Sequence, residues 1–194
     1  LENPSGVRLR LSVTSSQSSP RNLENHAVEW EVLSPIDATF GPDTALNAGP
    51  EQTLIVQGNY PTETTFTCVA HTQQQRITAI RLEVLPDPEQ TPERSIPDLF
   101  VLSEFQIQAY PFTSSKETVS DARVISLQHA ILRYSDEDAS VMPLIDDDRR
   151  TYWHVGPKHD QPGVVIFETK DNRVAAWQTL CRAMLCLNEF AYIE

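Results

Sequence analysis

Val7-Arg8-Leu9-Arg10-Leu11-Ser12-Val13-Thr14 is the stretch whose reading decides the fold. Apolar side chains at 7, 9, 11 and 13 alternate with polar ones at 8, 10, 12 and 14, the period of two that marks a strand with one face in a core. The same alternation recurs at Val28, Trp30 and Val32, at Phe66, Cys68 and Ala70, at Ile80, Leu82 and Val84, and at Phe105, Ile107 and Ala109. Five half-buried strands in the first 112 residues, separated by Pro, Asn and Asp clusters, predict a mostly-β protein built as an antiparallel β-sandwich or jelly roll. Trp30, inside one alternation, is expected in the core.

Between these strands, residues 15–25, 34–50 and 86–97 are rich in chain breakers and read as loops. The last contains Pro86, Pro88, Pro92 and Pro97, too many for a central strand. A further composition break, Pro111-Phe112-Thr113-Ser114-Ser115-Lys116, reads as a linker and sets the expected boundary. A β-sandwich domain is thus expected over 1–112, and a second, smaller β unit over 113–194. In the second unit, 122–127 and Gly163–Thr169 read as strands, joined by a stretch carrying Asp136-Glu137-Asp138 and Asp146-Asp147-Asp148. Trp177, Leu180, Cys181, Met184 and Leu185 fall at i, i+3, i+4, i+7 and i+8, which predicts a C-terminal amphipathic helix over 173–189. A strand over 184–193 is the alternative reading of the same apolar run. The helix is expected to pack on its own domain or to dock a partner subunit.

The chain of 194 residues has 15 Lys+Arg against 27 Asp+Glu and a net charge of -12. Residues 1–112 hold 6 basic and 14 acidic side chains, and residues 113–194 hold 9 and 13. Such a field repels phosphate backbones and anionic membrane surfaces, and no basic run exceeds Arg149-Arg150, so nucleic-acid binding is not expected. No apolar run approaches the ~20 residues that cross a bilayer, and the first residues lack the charged-then-apolar pattern of a signal peptide. Three cysteines, Cys68, Cys181 and Cys186, form no CxxC spacing, which leaves structural zinc, covalent haem and thioredoxin-like chemistry without support. On a helix, Cys181 and Cys186 point about 140° apart and do not bond.

Two long stretches, Ile77-Thr78-Ala79-Ile80-Arg81-Leu82-Glu83-Val84-Leu85-Pro86-Asp87 and Phe100-Val101-Leu102-Ser103-Glu104-Phe105-Gln106-Ile107, together with His26-Ala27-Val28-Glu29-Trp30-Glu31-Val32-Leu33-Ser34-Pro35, resemble the β-sandwich region of large planctomycete-type proteins that also carry a haem-c domain. A second pattern of that family, "IDGD, T, W, V" followed by "VFE", is matched by Ile145-Asp146-Asp147-Asp148, Thr151, Trp153, Val155 and Val165-Ile166-Phe167-Glu168. Both halves look like galactose-binding-like, or discoidin-like, jelly rolls. The resemblance implies a galactose-binding-like second unit, an extracytoplasmic (periplasmic or secreted) location and a place beside electron-transfer partners. Asp147 stands where the pattern has Gly, so the tight turn requires a left-handed Asp, which Asp tolerates better than most residues. The stretch after Lys170 departs from the family, while Arg8–Thr14 looks like its closing strand, as though the module were cut or permuted.

Asp146-Asp147-Asp148 is the most site-like feature, since consecutive carboxylates either stay solvated or hold a hard cation, and Ca²⁺ is the ion such oxygens would take. The solvated turn is favoured, because no EF-hand spacing is present. Thr151, Tyr152, Trp153 and His154 form the expected ligand-binding stretch, with the Trp153 indole either a glycan platform or a core anchor. His154, His159 and Asp160 have no recurrent metal-ligand spacing. No GxSxG, P-loop or GxGxxG is present, and no activated nucleophile is marked by its neighbours, so an enzyme is not expected. The resulting expectation is a non-catalytic, galactose-binding-like module that recognises a glycan or a protein. The alternative is a structural or accessory subunit of an extracytoplasmic complex.

Overall fold

The computed structural model describes residues 7–16, 28–40, 44–58, 63–74, 76–85, 100–111, 123–133, 142–155, 162–170 and 179–188. Thirteen strands run through them: β1 (Val7–Thr14), β2 (Glu31–Val32), β3 (Ser34–Phe40), β4 (Thr44–Ala48), β5 (Leu54–Gly58), β6 (Glu63–Thr72), β7 (Ala79–Leu85), β8 (Phe100–Pro111), β9 (Arg123–Ile125), β10 (Leu127–Arg133), β11 (Trp153–Val155), β12 (Gly163–Thr169) and β13 (Thr179–Asn188). They form two antiparallel sheets. The first has the order β10-β12-β7-β1-β5-β4, with β2 also on β1; the second has the order β11-β8-β13-β6-β3, with β9 also on β8.

The core lies between the sheets and follows the alternation. Leu9, Leu11 and Val13 of β1, Ile80, Leu82 and Val84 of β7, and Val165 and Phe167 of β12 form one wall. Phe66, Cys68 and Ala70 of β6 with Leu102, Phe105, Ile107 and Ala109 of β8 form the other. Phe105 and Phe167 stack across the interior with centroids 4.0 Å apart and planes 7° apart, which fixes one sheet on the other. Strands from both sides of residue 112, where the composition break predicts a boundary, share both sheets: β12 pairs with β7, and β13 with β6 and β8.

The predicted C-terminal helix is corrected to a strand, with Trp177 outside the described residues. Residues 179–188 form β13, hydrogen-bonded to β6 on one side and β8 on the other. The register sets Cys181, Ala183 and Leu185 opposite Ala70, Cys68 and Phe66, whose side chains are core. Two ladders outweigh a helical stripe, because a helix there would leave the facing edges of β6 and β8 unpaired. Cys68 is a free, buried thiol, its pKa pushed up to about 12 by burial and then by the Asp37 charge.

Two further corrections concern the first half. The predicted 34–50 loop contains β3 and β4, which occupy sheet edges where Pro35 and Asp37 are tolerated, and the β3–β6 register shifts between those two residues. Trp30 leaves the main core: with Val28 it packs over Ala79, Val164 and Ile166 on the outer side of the first sheet. There its ring lies 4.8 Å from the Arg81 guanidinium. The same outer side carries Glu83, 5% exposed, which accepts two hydrogen bonds from Arg10 at 2.8 and 3.0 Å and pairs with Arg81 at 3.3 Å. Arg10 and Glu83 are direct cross-strand neighbours, and the carboxylate raises the Arg10 pKa.

Strand ends are tied by buried hydroxyls. Thr14 Oγ1 donates to Glu29 O at 2.8 Å, Thr78 Oγ1 to Thr14 O at 3.1 Å, and Thr169 Oγ1 to Ile77 O at 3.0 Å, so β1, β7 and β12 stop together with their carbonyls satisfied. The β4–β5 hairpin turns through Gly49–Thr53, where Glu51 and Gln52 take left-handed φ values of 55° and 59°. Gly49 is required there by space, since a Cβ would meet Thr53 Oγ1 and come within 2.9 Å of Ile55.

Candidate functional site

The acidic loop follows a short 3₁₀ turn, Met142–Leu144, whose Leu144 is fully buried. Asp147 sits at φ 61°, the left-handed conformation that replacement of the pattern's glycine demands. Asp146 Oδ1 accepts the Asp148 N–H at 2.9 Å, and its carboxylate accepts the Thr151 hydroxyl at 2.9 and 3.1 Å. Thr151 N–H donates to Asp148 O at 3.0 Å and closes the turn. Asp148 receives the Arg150 guanidinium at 2.8 and 2.7 Å, which holds its carboxyl near about 2 and raises the Arg150 pKa. Asp146 and Asp148 are thus engaged within the loop itself. Among the described residues no three His, Cys, Asp or Glu side chains converge as a metal site requires, so no role is derived through Ca²⁺.

Within the expected ligand-binding stretch, Trp153 lies in the core, one of the two places its indole was expected to take. It is 6% exposed and belongs to the main hydrophobic cluster, because β11 pairs with β8 and sets it opposite Leu102. An indole so placed has no free face to offer a sugar. Tyr152, directly before it, is 52% exposed, and Thr151 is half-buried in the turn. The backbone of His154 pairs with Val101, while its side chain, His159 and Asp160 lie outside what the structure describes.

Under this loop lies a residue that the motif reading passed over. Glu104 is 4% exposed, at the point where the β8–β13 register shifts. Its Oε2 is buried with no hydrogen-bond partner. Burial first, then the Asp147 and Asp146 charges, push its pKa up to about 7 against the opposing pull of the Asp147 N–H and Arg149. The signal was a lone charged residue inside the apolar run Phe100–Ile107.

A polar depression lies elsewhere. A depression of about 400 Å³ is lined by Glu31, His71, Thr72, Gln73 and Gln74. The Thr72 hydroxyl donates to Glu31 Oε2 at 2.9 Å and accepts the Gln74 N–H at 3.1 Å, so β2 and the end of β6 hold its wall together. Register separates the two regions. Thr72 pairs with Thr179, which pairs with Pro111, whereas Trp153 pairs with Leu102, nine residues earlier on β8. At about 3.3 Å per residue they lie on the order of 30 Å apart.

The fold and these sites define an antiparallel β-sandwich with a polar depression toward one end and an acidic loop toward the other. No protein-family model, curated protein or solved structure matches the chain. Among the described residues no helix is long and apolar enough to cross a membrane.

Proposed function

We propose that the protein is a non-catalytic binding module of galactose-binding-like type, and that the polar depression, rather than Trp153, receives a glycan. The observation that carries this reading is the depression's lining: one carboxylate, one imidazole, one hydroxyl and two primary amides offer donors and acceptors. Such a set suits a hydroxyl-rich ligand, since each sugar hydroxyl both donates and accepts. The Glu31–Thr72 hydrogen bond fixes one acceptor in advance, which lowers the ordering cost of binding. Isothermal titration with galactose and galacto-oligosaccharides tests the reading. Binding that is lost in Gln73→Ala and Gln74→Ala variants with unchanged melting temperature supports it; no heat at millimolar sugar overturns it.

A second reading, an accessory subunit of an extracytoplasmic assembly, is favoured by the large exposed side chains Val124, Met142 and Tyr152. All three belong to segments bordering β8: β9, the 3₁₀ turn and the residue before β11. Migration of the protein from native extract at the size of the isolated 21.9 kDa chain counts against it.

A further inference from the structure

Glu31 is held in position in the polar depression before any ligand arrives. It lies on β2 opposite Val13, and the chain on either side of it is bound to β1: Thr14 Oγ1 donates to Glu29 O at 2.8 Å, and the Leu33 N–H donates to Leu11 O at 2.9 Å. Thr72, 4% exposed, accepts the Gln74 N–H on its hydroxyl oxygen and turns its single proton to Glu31 Oε2 at 2.9 Å. Among the described residues the Glu31 carboxylate takes no second hydrogen bond, so Oε1 keeps its acceptor capacity for a ligand. Glu31 is half-buried, and of the lining residues it alone is a carboxylate, with His71 the one other titratable side chain. Outside the lining, exposed Glu29 and Arg76 flank it with one charge of each sign, within a chain of net charge -12.

We propose that the depression selects amino sugars: Glu31 Oε1 receives a ligand ammonium, while the Gln73 and Gln74 amides take the sugar's hydroxyls. This rests on the glycan reading above and adds the charge that the sugar carries. A carboxylate only accepts and an ammonium only donates, so the two are matched without a competing lone pair, and their hydrogen bond is about twice as strong as a neutral one. A neutral sugar meets the same oxygen with a hydroxyl and gains only the ordinary bond. A uronic acid brings a second carboxylate against Glu31 and is repelled. The field of the acidic chain acts in the same sense, drawing cationic ligands toward the depression and turning anionic ones away.

Isothermal titration of the full chain with galactose, galactosamine, N-acetylgalactosamine and galacturonate tests the proposal at neutral pH and low salt. Galactosamine is expected to bind about tenfold more tightly than galactose, the worth of a hydrogen bond to a charged group in a half-buried setting. N-acetylgalactosamine, whose nitrogen is neutral, is expected to gain nothing over galactose, and galacturonate to bind more weakly. Glu31→Gln, which keeps the shape and removes the charge, is expected to bring the ratio of galactosamine to galactose affinity to about one. In the wild type, raising the salt from about 0.05 M to about 0.5 M is expected to shrink that ratio by screening the ion pair, a result that supports the proposal even where the Gln variant fails to fold. Equal affinity for galactosamine and galactose, an equal gain for N-acetylgalactosamine, a ratio unmoved by salt, or a full preference retained in Glu31→Gln overturns it. Galactose heat without the amine preference overturns this selectivity and leaves the glycan reading standing, whereas no heat from any of the four sugars overturns both.

Discussion

Replacement of Phe167 by Ala is expected to weaken the whole sandwich. Phe167 is fully buried and stacks on Phe105, which is 1% exposed, so the change opens a cavity at the centre of the core and ends an aromatic contact that joins β12 to β8. Truncation of a buried Phe costs about 3–5 kcal/mol, to which the stack contributes about 0.5–1.5 kcal/mol beyond area. For a chain of this length, each kcal/mol lowers the melting temperature by about 2–4 °C, so a fall of roughly 10 °C is expected. Differential scanning calorimetry of the wild type, Phe167→Ala, Phe105→Ala and the double variant checks this. The double variant is expected to be more stable than the sum of the single losses by about 0.5–1.5 kcal/mol, since the second truncation no longer removes the stack. One transition shifted as a whole is expected, because the ladders β12–β7 and β13–β8 bind early and late strands together. Additive losses, or two transitions of which only one moves, would refute the reasoning.

Glu83→Gln leaves Arg10 and Arg81 without their shared carboxylate on the outer side of the first sheet; both side chains are 22% exposed, so the loss is expected at about 2–3 kcal/mol rather than the 3–5 kcal/mol of a fully buried pair, as read by urea unfolding. Gly49→Ala drives a methyl group into Thr53 and Ile55 and is expected to cost about 1–3 kcal/mol in the same assay. The folded-state pKa of Glu104 is raised from 4.5 to about 7, so the folded chain holds this proton longer than the unfolded one. Its contribution is full below pH 4.5, is lost as pH rises through about 7, and amounts to at most about 3 kcal/mol. Wild-type stability is therefore expected to fall between pH 5 and 8 more steeply than that of Glu104→Gln, and parallel curves would contradict this. Asp148 has the opposite sign: its pKa is lowered from 3.8 to about 2, and its contribution is lost only as acid is added through that range.

Alternation made β1, β6, β7 and β8 legible, because each of these strands buries one face in the shared core and the chemistry of that face is uniform. It failed at β3 and β4, where edge positions admit Pro35 and Asp37 that elsewhere signal loops. It misled at β13, whose residues satisfy a helical stripe and an alternating set at once; which one forms depends on β6 and β8, and a local pattern carries no information about neighbours. The left-handed Asp147 was legible from its place in the turn pattern, and Trp153 from the same pattern as a core anchor. The polar depression was not, since Glu31 meets Thr72 only across 41 positions of sequence. Glu104 shows the same limit: a charged residue within an apolar strand is visible, but the two aspartates that raise its pKa come from a loop more than 40 residues on.

The position of β13 has a consequence for the order in which the protein can be assembled during synthesis. β6 and β8 are not neighbours; the slot between them is filled by the last described strand, and Thr72 waits for Thr179. A nascent chain that has left the ribosome as far as β12 can zip the first sheet from β1, β5, β7 and β12, yet its second sheet still has an open gap with two unsatisfied rows of backbone groups. Closure is late and non-local, the kind of pairing that slows folding and leaves strand edges accessible to other chains. A chain lacking residues 179–188 would expose the facing edges of β6 and β8, so truncation before β13 is expected to favour intermolecular strand pairing, read as aggregation on heating.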